Sequence, residues 1–571
     1  MKTRILRRSN SLQAMLVAAT ALVAAHAPLV AQAQQPAGEM KPLAVIALSG
    51  YDALLEDINF AGSLAGQPDL GAMLEPMIMG YTQGLDKTKP LGVVIQSDGA
   101  TFGGAACLPV TDLQKMLAPL KLFGVTTEDV GGGITKLVTP QQPAFVKEAN
   151  GWAFVSPMQE MLAGLPDDPT EVLSTLSKEY DLGARVQVQN IPEAYRQMAI
   201  QQLDQGMQAG LKKLPDESDE QFAARKEMTS LQLEQLKQLI SDIDELTIGL
   251  ALDGAQQRAY LDFIYTAVPE SKLASQIAMY ADSKTNFAGF FQPDAAMMMS
   301  FATKMGEADI AQVDQMFGAI RQQVKAAIDK DADLPSDEAR AQMQSALDDF
   351  LAAFQATLKT GMMDGGAVLN LAPNSLTFVA GAFIGEPAKV ETGLKKMAEI
   401  IKQKDANSPE VKWNAASHGD VSFHTLSLPI PENEEQPRQL FGETVDLAIG
   451  IGKQSVYFAA GRDCLNAVKG VIDASGAEPQ KSVPPMEMTF ALKQIMEMAA
   501  SIAKDNEKPM LQSIAAMLAN EAAGRDHVRI VMQAIPGGIR TRIEAEEGVL
   551  RAIGMGAMQA QMQAAGAGQG P

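Results

Sequence analysis

Histidine is the first side chain to look for, because it serves most acid–base and metal chemistry near neutral pH. Beyond His26 the chain holds His418, His424 and His527. Two of these lie in the stretch 417-SHGDVSFHTL. On an unbroken strand their even spacing places His418, Asp420 and His424 on one face, and two imidazoles with a carboxylate suit a divalent metal. The pair Gly419-Asp420 is turn chemistry, however, and a turn breaks that alternation. The plainer reading is of solvated loop residues, so no metal is expected and His418, Asp420 and His424 stand as the candidates if one binds. His527 opens a strand and has no partner near it in sequence.

Other chemistry-bearing patterns fail on their mechanics. The chain has no G-x-S-x-G elbow for a hydrolase and no H-E-x-x-H pair for a zinc protease. Gly131-Gly132-Gly133 precedes Lys136, but the run leads into a strand, whereas a phosphate cradle needs glycines that open a helix. The acids of 329-DKDADLPSDE lack the central glycine and terminal glutamate of a calcium loop, and read as a helix-capping linker. Acidic residues number 68, so pairs of carboxylates discriminate nothing. With two tryptophans and eight tyrosines, aromatic platforms for sugars are scarce, and Trp152 and Trp413 read as packing anchors within strands. No catalytic or cofactor-binding residues and no cofactor are assigned, and a non-enzymatic protein is expected.

The ends and the charge limit the partners. Lys2, Arg4, Arg7 and Arg8 precede an apolar run from Ala14 to Val30 and then Ala31-Gln32-Ala33, the order of a cleavable export signal. Residues 1–33 are read as that signal, 34–41 as a linker, and the low-complexity segment 558–571 as a disordered tail. The run is short for a membrane anchor, so no stable span is expected after cleavage, and the mature protein is placed in the periplasm or outside the cell. Cleavage removes four basic and no acidic side chains, taking the formal charge from -21 to -25. Such a chain repels phosphate backbones, which excludes nucleic acid as a partner. Cys107 and Cys464 are the two cysteines, and sequence alone leaves their pairing open.

The elements that carry these residues repeat. An alternating strand, a turn, a second strand and an amphipathic helix recur from 92-GVVIQSDGATFGG, 246-LTIGLALDGAQQRAYLDF, 366-GAVLNLAPNSLTFVAG and 527-HVRIVMQAIPGGIRTRIEA. Each carries turn residues at its midpoint, Asp98-Gly99, Asp253-Gly254, Pro373-Asn374 and Pro536-Gly537-Gly538, which mark hairpins. Strands running straight into helices precede them at 43-LAVIALSGYDALLEDI, 184-ARVQVQNIPEAYRQMA, 285-TNFAGFFQPDAAMMMSFA and 486-MEMTFALKQIMEMAASI, with Pro192 and Pro293 near helix starts. Ser218 and Ser336 are expected helix N-caps. Extra strands follow at 144-AFVKEANGWAFVSP and 445-VDLAIGIGKQSVYFAAG. The order predicts an α+β fold of two tandem similar halves, 42–283 and 284–557. Each half would build an antiparallel sheet from ββα and βα units, with helices covering one face. The helices are read as rich in methionine, of which the chain has 32, with runs such as Met297-Met298-Met299 and Met496 to Met498 packing inward.

The Arg-rich start 3-TRILRRSNSLQAMLVAATALV, the stretch 151-GWAFVSP and the repeat resemble large uncharacterised exported proteins of planctomycete-type bacteria. The resemblance implies export and no activity, and it carries over no functional residue. The functional expectation is an exported binding or scaffolding protein whose partner is another protein or an apolar small molecule. A carrier with a Met-lined cavity is the second reading. A hydrolase with dispersed acids is the third, and it requires two carboxylates about 5 to 10 Å apart.

Overall fold

The computed structural model describes residues 40–556 apart from 100, 140–141, 163–164, 214–216, 331–333, 335, 373 and 521–523. The expected signal 1–33, nearly all of the linker, the tail 558–571 and Pro373 lie outside these residues. The chain divides into two compact units, one of residues 40–199, 243–266 and 553–556 and one of Ile200–Asp242 and Ala267–Ala552.

In the first unit, β1 (Lys41–Leu48) leads through α1 (Tyr51–Leu64) and α2 (Leu70–Ile78) to the hairpin β2 (Leu91–Ser97) and β3 (Phe102–Pro109). Then come α3 (Leu113–Leu117), β4 (Thr126–Asp129), β5 (Ile134–Val138), β6 (Ala144–Ala149), β7 (Trp152–Ser156), α4 (Thr170–Ser177) and β8 (Leu182–Gln187). α5 (Glu193–Gly210) carries the chain into the second unit, where α6 (Asp219–Asp242) lies, and β9 (Ile243–Asp253) and β10 (Arg258–Ala267) return. Neighbouring strands run β4-β5-β6-β7-β3-β2-β1-β8-β9-β10, antiparallel from β4 to β9. The turns follow the residue chemistry. The Asp98 carboxylate accepts the Thr101 N–H at 2.7 Å, Asp253 accepts that of Gln256 at 2.9 Å, and Gly131, Gly132 and Gly133 all take positive φ between β4 and β5.

Helices cover both faces of this sheet, not one as expected. On one face Val45, Ala47, Val94, Cys107, Trp152 and Phe154 pack against Leu173 and Leu176 of α4. Each large side chain buried there contributes about 1.5–3 kcal/mol. Ala153, which alternates with Trp152 and Phe154, faces the other way and packs with Leu137 and Val146 under Leu113 and Leu117 of α3.

The second unit continues with α7 (Lys272–Tyr280), β11 (Lys284–Thr285), β12 (Met297–Lys304), α8 (Glu307–Lys330), α9 (Asp337–Lys359), β13 (Met362–Ala372), β14 (Ser375–Phe383) and α10 (Pro387–Lys404). β15 (Lys412–His418), β16 (Val421–Pro429), α11 (Glu435–Phe441), β17 (Thr444–Ile451), β18 (Ser455–Gly461) and α12 (Cys464–Ala477) follow. The unit closes with β19 (Lys481–Ser482), β20 (Met486–Ala491), α13 (Leu492–Ile502), α14 (Lys508–Asn520), β21 (His527–Ile535), β22 (Gly538–Glu546) and the start of α15 (547–556), of which residues 553–556 fall in the first unit. Its strands run β15-β16-β17-β18-β14-β13-β12-β20-β21-β22, with β11 paired to β19. The core joins Phe290, Val368, Val379, Phe423 and Tyr457 to Val468 and Val471 of α12. Ser336 caps α9 by accepting the Ala339 N–H at 3.1 Å, and Ser218 directly precedes α6.

The structure departs from expectation around β12. Met297-Met298-Met299 belongs to strand β12 and not to a helix, and Pro293 stands at no helix start. β12 lies between β13 and β20, with Met298, Ser300 and Ala302 buried on one face. Its two ladders of backbone hydrogen bonds outweigh the helical preference of methionine.

Candidate functional site

The structure separates the three metal candidates. Gly419, with φ at 55°, turns β15 into β16. His418, at the end of β15, lies 2.6 Å from Asp473, and Asp420 pairs with Lys453 at 2.8 Å. His424 is not a solvated loop residue but a buried residue of β16. Its Nδ1 accepts the Asn414 N–H at 3.0 Å, which leaves the proton on Nε2, 3.6 Å from Glu391. Trp413 of β15 packs edge-on against it, and burial lowers its pKa. Among the described residues no group of three His, Cys, Asp or Glu could hold a metal ion. His527 lies 3.2 Å from Glu546, whose hydrogen bond raises its pKa.

Cys107 and Cys464 are free and buried, and burial pushes their thiols up to about 12 and about 11. Neither is a thiolate near neutral pH. Trp152 is fully buried, as an anchor should be.

One carboxyl pair escaped the sequence reading. Burial, followed by the charge of Asp181, the residue before β8, pushes the Asp57 carboxyl of α1 up from 3.8 to about 7. A signal was nonetheless present in 53-ALLEDINF, where Asp57 sits three positions after Leu54 and beside Ile58, on the apolar side of the helix.

The remaining feature is built from apolar residues. Residues opposite each other in an antiparallel pair point to one face, so the registers can be followed across the first unit's sheet. Ile248 lies beside Ala184, then Ile46, Val93, Ala106 and Val155. A parallel row runs Leu250, Leu182, Leu48, Leu91, and a third runs Leu246, Val186, Ala44, Ile95. The rows are wholly apolar. At the β6–β7 end the face is buried under α3, but at the β9 end Ile248 is 50%, Leu182 44% and Leu250 41% exposed. The opposite side of the same strands carries Gly183, Gly249 and Ala251, small residues that admit Tyr180 and Leu176.

The second unit has a comparable row, Ile449, Phe458, Ala380, Ala367, Met299, Met488, Ile530 and Ile543, with His424 beside Ile449. Met297, Phe378 and Phe490 lie in the next row. Most of these side chains are half-buried, and Phe458 is exposed. Flexible methionine beside phenylalanine makes a deformable apolar surface. No helix among the described residues is long and apolar enough to cross a membrane.

No protein-family model matches the chain, and neither a curated protein nor a solved structure does.

Proposed function

We propose that this chain is an exported, non-catalytic binding protein whose contact surface is the open apolar sheet face of the first unit. The observation that carries the proposal is the run of Leu246, Ile248 and Leu250 on β9, each more than a third exposed and continued by Leu182 and Leu48 on neighbouring strands. Exposed apolar area that is contiguous over several strands is costly in water and marks an interaction surface. Its partner is apolar in chemistry, a protein surface or a small molecule. The Met- and Phe-lined rows of the second unit favour the second of these, a carrier of apolar ligands.

The proposal includes an origin by duplication, from halves 42–283 and 284–557. Its support is the strand order. Substituting β15–β18 for β4–β7, β14-β13-β12 for β3-β2-β1 and β20-β21-β22 for β8-β9-β10 turns one unit's order into the other's.

Fluorescence titration with neutral N-phenyl-1-naphthylamine tests the surface. The protein is expected to bind the probe, and Ile248→Asp to weaken binding about tenfold, roughly 1.4 kcal/mol, with an unchanged circular dichroism spectrum. Equal binding by the variant would remove this face as the site.

A further inference from the structure

Strand β15 lies at one end of the second unit's sheet and pairs with β16. That ladder is interrupted at one place. Lys412 stands opposite Thr425 and Ala416 opposite Phe423, so Trp413, Asn414 and Ala415 together face the single residue His424. A bulge of this kind withdraws backbone groups from the ladder. Asn414 takes φ at 52°, a conformation that asparagine tolerates, and its N–H donates to Nδ1 of His424 at 3.0 Å. Its side chain is held as well, with Oδ1 accepting the Ser422 hydroxyl at 2.8 Å. The Trp413 ring stands edge-on to the imidazole, the two centroids 4.9 Å apart. The buried imidazole of His424 is thus the acceptor on which the bulge hangs.

The groups around the ring leave one place for a second proton. From α10, Glu391 Oε1 lies 3.6 Å from Nε2, the nitrogen that already carries a proton, and it accepts Lys395 Nζ at 2.7 Å. Lys395 in turn lies over the Trp413 ring, 5.6 Å from its centroid. β17 sets Ile449 opposite His424, with Leu447 and Ile451 flanking it, and brings no charge to the ring. On β15 itself, Lys412 lies opposite Thr425, and His418 Nε2 is 2.6 Å from Asp473 of α12. A second proton on His424 therefore goes to Nδ1, where the Asn414 N–H points. Burial opposes that charge, Glu391 favours it and Lys395 opposes it, and burial prevails.

We propose that His424 is an acid-sensitive clasp on the end strand β15: uncharged, its Nδ1 holds the Asn414 bulge to β16, and on gaining a proton there it lets the bulge go. An imidazolium has two N–H groups and no acceptor nitrogen. Nδ1–H would then meet the Asn414 N–H, and the backbone donor must turn to water. A released His424 titrates near its ordinary value of about 6.5, whereas the clasped ring resists the proton to a lower pH. The clasp is complete above about pH 6.5 and is lost as pH falls from there through the lower folded value. His418 acts in the other direction, because a proton strengthens its pair with Asp473. Acid therefore loosens the bulge and leaves the far end of β15 fastened. The clasp does not depend on what the apolar faces bind.

Amide hydrogen exchange by NMR on the full chain tests it, read from about pH 8 to about pH 5 and corrected for intrinsic exchange. The Asn414 amide is expected to keep a constant protection above about pH 6.5 and to lose up to about tenfold per pH unit below it, while β13 and β14 stay constant. In His424→Asn the carboxamide oxygen takes the place of Nδ1 without titrating, so the dependence on pH should vanish. Imidazole nitrogen NMR of the unaltered protein should find Nδ1 bare at about pH 8, and gaining its proton over the range in which Asn414 loses protection. The clasp is wrong if Asn414 is equally protected at every pH, if His424→Asn is as steep as the parent, or if Nδ1 carries the proton at about pH 8.

Discussion

Two histidines in comparable strands respond to opposite environments. His424 loses water on burial, and the nearby Lys395 also opposes its charge, so its folded pKa falls below 6.5 despite Glu391. Its contribution to stability is present above 6.5 and is lost as pH falls from there through the lower folded value. His527 gains the Glu546 hydrogen bond and is raised, so its contribution is present below 6.5 and is lost as pH rises through the higher folded value. Imidazole C2–H NMR should therefore give His424 a midpoint below 6.5 and His527 one above it. A reversed order would mean that solvent reaches His424. Sequence named both residues but gave neither environment, because burial of His424 comes from Trp413 and Glu391 on two other elements. Asp57 stayed hidden among 68 acids for the same reason, since its partner lies 124 positions away.

At the scale of elements, local chemistry decided the hairpins. Asp98, Asp253 and the Gly131–Gly133 run form turns because each aspartate accepts the backbone N–H of the residue three positions on and glycine tolerates positive φ. Alternation also placed β9 correctly, but its glycine has a reason that only packing reveals. A Cβ at Gly249 would stand 2.4 Å from the Tyr180 ring. Gly249→Ala must displace that ring or strand β9, and is expected to destabilise the protein by about 1–3 kcal/mol. Urea unfolding checks this, and an unchanged midpoint would show that the ring moves freely. Where alternation and residue preference disagree, as in 297-MMMSFATK, preference misleads. β12 is a strand because β13 and β20 supply its hydrogen bonds from both sides.

Over the whole molecule acids outnumber bases by 21, while the ion pairs are mostly at the surface, such as Lys453–Asp420 and Lys115–Asp112. Surface pairs contribute only about 0–1 kcal/mol each, whereas net repulsion acts on every acid. Raising sodium chloride from about 20 to about 200 mM at neutral pH screens both, and is expected to raise the melting temperature. A fall would mean that the pairs outweigh the repulsion. The two units also reapportion the chain, since α6 and α7, which precede position 284, belong with the strands that follow it.

Sequence by itself determined the mixed α+β class, the hairpins and their turns, and the Ser336 cap, because each rests on contacts within a few residues. Only the tertiary structure decided that His418, Asp420 and His424 part company, that Asp57 comes under the charge of Asp181, and that one apolar face stays open to water. Those outcomes depend on strand register and on which helix lies over which strand. Both are fixed by pairings between residues far apart in the chain, which no local pattern encodes.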